Sequence, residues 1–183
     1  MGNESLPSPE VKKYIANSSS SDLSVPPALT RSGWLAWVDS EETSGENGRG
    51  TNVIDGKTST IWHTRWSGGS APPPPHSLVV DLGAVATLGG FRALPRQDGE
   101  ANGRIGQYEF YVKTHSGTRP TTPPVLSEWT LVSTGTFPNT ASEQQVLFGA
   151  VTSRYVWLRA RSEAQGSNKP WTSLAEFNLL GAY

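Results

Sequence analysis

Three loop segments of this 183-residue chain carry side chains better suited to gripping a polyol than to breaking a bond. A sugar ring asks for two things at once: an aromatic plate against its C–H face, and planar groups that pair with neighbouring hydroxyls. Arg96 offers a guanidinium fork, and Asn102, at the far end of the Gly-rich stretch RQDGEANG, offers a donor and an acceptor on one amide. His63 follows Trp62 in the sequence WHT and can reach an axial hydroxyl. Trp171, in NKPWTS, is the candidate plate; Trp66 either extends that platform or covers a sheet edge. A second group is made of oxygen donors: Asp55 before Gly56 in a tight turn, Thr60 a short interval on, and Glu176 near the chain end. Such donors suit a hard cation, with glycine letting a short loop turn its carbonyls inward. By spacing alone, these residues read more simply as turn residues and a solvated strand carboxylate.

Catalysis has little to work with. There are three histidines, no cysteine and no G-x-S-x-G nucleophile motif. Glu41 and Glu42 are adjacent, and neighbouring residues of a strand point to opposite faces, so they do not form a carboxylate pair across a sugar. The chain is expected to hold a ligand without transforming it. Fifteen basic against sixteen acidic residues give a net charge of −1, which leaves no broad basic surface for phosphates and argues against nucleic acid as a partner.

The elements that must position these groups are strands. Seven tryptophans, nineteen glycines and fourteen prolines combine β-favouring aromatics with heavy turn chemistry. From Gly33 onward the hydrophobic period is two. The runs GWLAWVDS, HSLVVDL, TLGGFRAL, GQYEFYVKT, SEWTLVSTG, EQQVLFG, SRYVWLRAR and SLAEFNLL predict eight short strands, bounded by Gly, Pro, Ser or Asn. With no convincing helical stretch, they predict an all-β sandwich of two antiparallel sheets, of the jelly-roll kind. Long connections fall at 43–60, 63–76, 95–105, 115–125 and 162–172, and the candidate residues sit in them. Residues 1–30, rich in Ser and Pro, read as a flexible tail or linker before a domain over 31–183. Within that tail, Ser8 and Pro9 could open a short helix carrying Val11, Tyr14 and Ile15. The start MGNESLPSPE lacks the layout of a secretory signal.

Three segments, NVIDGKTSTIWHTRW (52–66), LPRQDGEANGRIGQYEFYV (94–112) and SEAQGSNKPWTSLAEFNLL (162–180), together resemble the F5/8 type C, or discoidin-like, domains and among them the family 32 carbohydrate-binding modules. That resemblance implies a galactose-binding-domain-like β-sandwich, a structural calcium or sodium ion, and a shallow sugar site in loops at one end. It places the ion on the side chains of Asp55, Thr60 and Glu176 and the carbonyls of Asn52, Lys57 and Ala175. It gives the sugar site a His, an Arg, an Asn, an aromatic and an acid, matched here by His63, Arg96, Asn102 and Trp171, with Glu42 preferred over Glu41 as the acid. Galactose-containing glycans are the implied partner. The implied setting is an extracellular module of a larger protein, with a free-standing cytoplasmic lectin as the other option, and oligomerisation stays open.

Each assignment has a plainer rival. Arg96 could simply pair with Asp98, as surface arginines often do. Trp62 is expected in the core, His76 at the entry to a strand after a rigid PPPP run, and Trp34, Trp37, Trp129 and Trp157 in the core or on a sheet face. His115 has no assigned role. The membrane-binding branch of the same fold inserts apolar loop tips into lipid, whereas RQDGEANG and AQGSNKP are polar and nearly neutral, which favours sugar over phospholipid. Recognition of a protein ligand would use the same loops.

Overall fold

The period-two pattern settles into eight strands: β1 (Leu35–Val38), β2 (Trp62–His63), β3 (His76–Leu94), β4 (Gln107–Lys113), β5 (Thr130–Thr136), β6 (Gln144–Ala160), β7 (Ser173–Leu174) and β8 (Glu176–Ala182). The structure, a computed structural model, describes residues 24–114, 123–166 and 169–183. The short helix expected at Ser8 and the loop residue His115 therefore lie outside the described residues. Among the described residues the only helical turns are 3-10, at Gly50–Ile54 and Leu126–Glu128.

Two of the expected strand pairs are each one continuous strand. HSLVVDL and TLGGFRAL merge into the 19-residue β3, and EQQVLFG and SRYVWLRAR merge into the 17-residue β6. The Gly and turn residues between them mark a bulge. The β3–β6 register breaks between Asp81 and Ala86, where Gly83 takes φ +75° and donates its N–H to Asp81 Oδ1 at 2.8 Å. A bulge bends a strand while pairing resumes on either side, so one long ladder can serve both layers of a sandwich. The early half of β3 lies between β1 and the late half of β6, with β4 and β5 beyond; the late half lies between β8 and the early half of β6. All pairings are antiparallel, and β2 with β7 forms a separate two-stranded sheet.

The layers meet over an aromatic core. Phe91 of one layer packs 4.7 Å from Phe110 of the other, and Phe177, Tyr108 and Phe137 also contact Phe91. In β4, Tyr108, Phe110 and Val112 face this core, while Tyr111 faces outward and stacks on Trp157 at 4.6 Å. That outer cluster also holds Val79, Trp129 and Tyr155, with Trp37 packed against it. Trp34 and Trp62 belong to the main core.

The domain starts earlier than residue 31. Leu29 is buried, its N–H donates to Leu179 O at 2.8 Å, Ala28 bridges Leu180, and Pro27 O accepts from Gly181 N–H at 2.8 Å. Ser/Pro-rich composition hid this docking because one leucine and a few main-chain bonds carry it.

Phe91 is fully buried between the layers. Phe91→Ala is expected to lower unfolding free energy by about 3–5 kcal/mol, read as a reduced urea midpoint at unchanged slope.

Candidate functional site

His63 reaches the site through the smallest sheet. Trp62, with no exposure, pairs with Leu174 and donates its indole N–H to Ser40 O at 2.8 Å. His63 pairs with Ser173. Thr64 then exchanges two bonds with Thr172: its N–H donates to Thr172 O at 2.9 Å, and its hydroxyl accepts from the Thr172 N–H at 2.9 Å. The histidine ring is almost wholly enclosed, with Nδ1 2.6 Å from Thr64 O. A carbonyl can only accept, so Nδ1 carries the proton and Nε2 is left as the acceptor, 3.4 Å from Asn102 Nδ2. Burial pushes the imidazole below its ordinary range, with Arg96 adding to the effect and the Thr64 carbonyl, Glu46 and Glu42 opposing it.

Arg96 is paired and still available. Its Nε and Nη2 hold Asp98 bidentately at 2.8 and 2.6 Å, and Nη1 donates to Asn102 Oδ1 at 2.9 Å and Asn102 O at 3.1 Å. The pairing foreseen as the rival to ligand binding is therefore present, and it fixes the guanidinium plane. Of its five N–H groups, Nη2 keeps one beyond the Asp98 bond. The Asp98 carboxylate raises Arg96 above its ordinary pKa and is itself lowered by it. Ser173 Oγ donates to Asn102 O at 3.0 Å, tying this loop to β7.

Glu42 does not face the cleft. It is 1% exposed, and its carboxylate accepts five bonds, from the N–H groups of Ser44, Gly45, Trp66 and Ser67 and from the Ser67 hydroxyl. These donors, the Gly45 N–H and Ser67 hydroxyl foremost, hold it well below the usual carboxylate range against the effect of burial. Its work is to shape the loop. From this segment the acid that lines the cleft is Glu46, whose Oε1 accepts the Trp66 indole N–H at 2.9 Å. The SEETSGEN segment holds three acids in a row of turn residues, and only the fold decides which one emerges. Gly45 lies under the Trp66 ring: a Cβ there would fall 2.6 Å from Cη2 and Cζ2.

Trp171 also lines the cleft, and Lys169 Nζ is 5.8 Å from its ring centre. His76 Nε2 donates to Pro170 O at 2.8 Å, so the histidine at the entry to β3 also holds the loop of Trp171. Together Glu46, His63, Trp66, Arg96, Asn102 and Trp171 line a cleft of about 730 Å³. Glu46, and with it Glu100 and Gln165 at the cleft margin, escaped the sequence reading because none stands in a motif of its own.

The oxygen donors converge elsewhere. Asp55 Oδ1 accepts Lys57 N–H at 2.8 Å, while Thr60 Oγ1 lies 2.8 Å from Asp55 Oδ2 and 3.0 Å from Lys57 O. Asn52 O accepts the Asp55 N–H at 3.4 Å, and Ala175 N–H donates to Leu94 O at 2.8 Å. Glu176 is buried; its Oε2 pairs with Arg31, and Oε1 has no hydrogen-bond partner among the described residues. Burial raises the Glu176 carboxyl, and nearby Asp55 adds to this against Arg31. An all-oxygen set with one unpartnered buried carboxylate oxygen fits a hard cation. Among the described residues no three His, Cys, Asp or Glu side chains cluster, so any ion here would lean on hydroxyl and carbonyl oxygens beside two carboxylates.

A β-sandwich whose loops gather a locked arginine, a neutral imidazole, an amide and two indoles defines a ligand-binding module of the galactose-binding-like class. The chain belongs to the F5/8 type C domain family, whose model matches residues 36–177. It is 36% identical over 155 residues to galactose oxidase of Gibberella zeae, covering 85% of this chain and 21% of that protein. It is 39% identical over 147 residues to a sialidase of Micromonospora viridifaciens, covering 80% and 21%. The chain thus spans about a fifth of the length of these relatives. Among solved structures, it is similar to the Clostridium perfringens module CpGH89CBM32-5 in complex with GalNAc-beta-1,3-galactose, at 27% identity and TM-score 0.71, covering 85% of this chain and 100% of the other. The family 32 module of C. perfringens NanJ in complex with galactose matches at 27% identity and TM-score 0.67, covering 83% and 96%.

Two outcomes follow from this geometry. Gly45→Ala should shift tryptophan emission by displacing the Trp66 ring, while unfolding free energy changes by no more than about 0.5 kcal/mol, as at other exposed positions. His63 should titrate below the 6.5 of an unperturbed histidine in a pH series of imidazole NMR spectra. Because its folded pKa is depressed, the stability it contributes is full above that value and is lost as pH falls through the lowered one.

Proposed function

We propose that this domain is a non-catalytic carbohydrate-binding module that takes galactose-type sugars in the cleft between Trp66 and Trp171. The observation that carries this reading is the meeting of Arg96, Asn102 and His63 Nε2 in one cleft with two indoles. The sugars named for the two C. perfringens modules support it.

The chemistry is that of a preset hydrogen-bonding frame. By displacing the long 3.4 Å contact from Asn102 Nδ2, a hydroxyl can donate to the single lone pair of His63 Nε2 while accepting from the remaining N–H of Arg96. The Asn102 amide supplies both senses of bond to a neighbouring hydroxyl. Glu46 keeps one carboxylate oxygen beyond its bond to Trp66, and it can accept a third hydroxyl. The indoles cover the C–H faces of the ring. Because Asp98 and the Thr64 carbonyl already fix Arg96 and His63, little side-chain freedom is lost on binding. A single open site of this kind is expected to bind with Kd around 0.1 to 1 mM, roughly 4 to 5.5 kcal/mol, so useful avidity would come from several copies or from a tethered enzyme. A secreted carbohydrate-active enzyme, with this domain as its accessory module, is the setting that fits such a role.

A calcium or sodium ion would be held by the side chains of Asp55, Thr60 and Glu176 and the carbonyls of Asn52, Lys57 and Ala175. When bound, it would supply a cross-link between the turn after the 3-10 segment and β8 in a chain without cysteine.

In a calorimetric titration with galactose, the wild-type domain should give heat that Arg96→Ala abolishes, the variant still unfolding cooperatively but at a lowered melting temperature because Asp98 and Asn102 lose their partner. A folded Arg96→Ala that binds normally would remove the assigned site. Calcium at a hundredfold its Kd should stabilise the domain by about 2.7 kcal/mol, a rise in Tm of roughly 5 to 11 °C. Asp55→Ala should lose that increment in a thermal scan with and without chelator.

A further inference from the structure

Behind the cleft lies a carboxylate that contacts neither the oxygen-donor cluster nor the cleft interior. Glu163 is 3% exposed and stands two residues before Gln165 of the cleft lining. Its Oε1 accepts the N–H of Gly103 at 2.7 Å, and its Oε2 has no hydrogen-bond partner among the described residues. Gly103 directly follows Asn102. It takes φ +81°, and a Cβ there would lie 2.7 to 2.9 Å from Ser173 Oγ, N and Cβ, so both its conformation and the closeness of β7 require glycine.

The main chain repeats the same connection. Ala164 N–H donates to Arg104 O at 2.7 Å, and Ile105 bridges Glu163. On the other side Ser173 N–H donates to Gly103 O at 2.6 Å, and Arg104 bridges Ser173. The segment carrying Asn102 is therefore the middle of three, with Glu163 on one flank and Ser173 on the other. Burial pushes the Glu163 carboxyl up, opposed by the Gly103 N–H and by Lys169. A carboxylate kept out of water for a single N–H must gain from the strength of that charge-assisted bond.

We propose that Glu163 is a positioning residue of the cleft, a tie that sets the distance between Asn102, next to Gly103, and Gln165, two residues beyond Glu163. That distance decides whether one saccharide ring can meet the Asn102 amide and the Gln165 side chain together. Glu163 itself never touches the sugar. The inference rests on reading the cleft as a galactose-type site.

The test combines a ligand-free signal with affinity. In wild-type protein without sugar, the Gly103 amide proton should resonate strongly downfield; Glu163→Ala should remove that displacement, and Glu163→Gln, which keeps a carbonyl oxygen in place, should retain part of it. Glu163→Ala should weaken galactose binding about two- to tenfold, the span expected when the displaced Asn102 amide loses one hydrogen bond to the sugar, and Glu163→Gln should recover most of the loss. Calcium-dependent stabilisation should be the same in all three proteins, which separates local repositioning from general damage. A folded Glu163→Ala with wild-type affinity, or with an unmoved Gly103 amide, overturns the proposal. Should Glu163→Ala not fold, Glu163→Asp, one methylene short of Gly103, takes its place with the same two outcomes. If wild-type protein fails to bind galactose, the galactose reading falls, while the Gly103 amide still reports on the tie.

Discussion

The cleft hangs on a ladder only two residues long, Trp62–His63 against Leu174–Ser173. Over a hundred residues of chain separate these segments, and loop-closure entropy opposes their meeting. What offsets it is the apolar weight behind them, since Trp62 and Leu174 are both buried in the main core. Once that pair is seated, His63 is fixed next to Ser173, Ser173 holds Asn102, and Asn102 accepts Arg96. The polar residues of the cleft are thus a consequence of packing one layer below them.

Electrostatics at the cleft share one feature: several of its charges are met by a partner before any ligand arrives. Arg96 has Asp98, Glu42 has five donors, Glu46 has the Trp66 indole and Glu163 has the Gly103 N–H. Unpaired, such groups near the protein interior would carry a large desolvation cost. Paired, they hold planar donors and acceptors at fixed angles, which suits discrimination among hydroxyl patterns. This is also why the rival reading of Arg96 as an ordinary ion pair and its reading as a binding group are compatible: the pair uses one edge of the guanidinium, leaving an N–H beyond it.

The sandwich architecture and most inward-facing residues were legible in the period-two pattern, because alternation on a pleated strand is itself the statement of which face is buried. Tyr108, Phe110 and Val112 illustrate it. The pattern misled at Gly83, where turn chemistry marked a bulge inside a continuous strand, and at Leu29, where the docked segment is too short to leave a periodic trace. At the cleft, the residues inside recognisable motifs, His63, Arg96, Asn102, Trp66 and Trp171, do come together. Glu42 does not, while Glu46 lines the cleft, since nothing local distinguishes a carboxylate that caps backbone N–H groups from one four residues later that does not.

The sequence by itself determined the class of fold, the lack of a nucleophile motif, and the residue types from which a sugar-holding cleft and an oxygen-lined cation site could be made. Those properties depend on composition and on short-range periodicity, which need no knowledge of distant contacts. Only the tertiary structure decided which acid faces the cleft, that His63 is neutral with Nε2 as the acceptor, and that Glu163 reaches Gly103 from 60 residues away. These are matters of non-local proximity and burial: a side chain's protonation, partners and direction are set by what the folded chain brings against it.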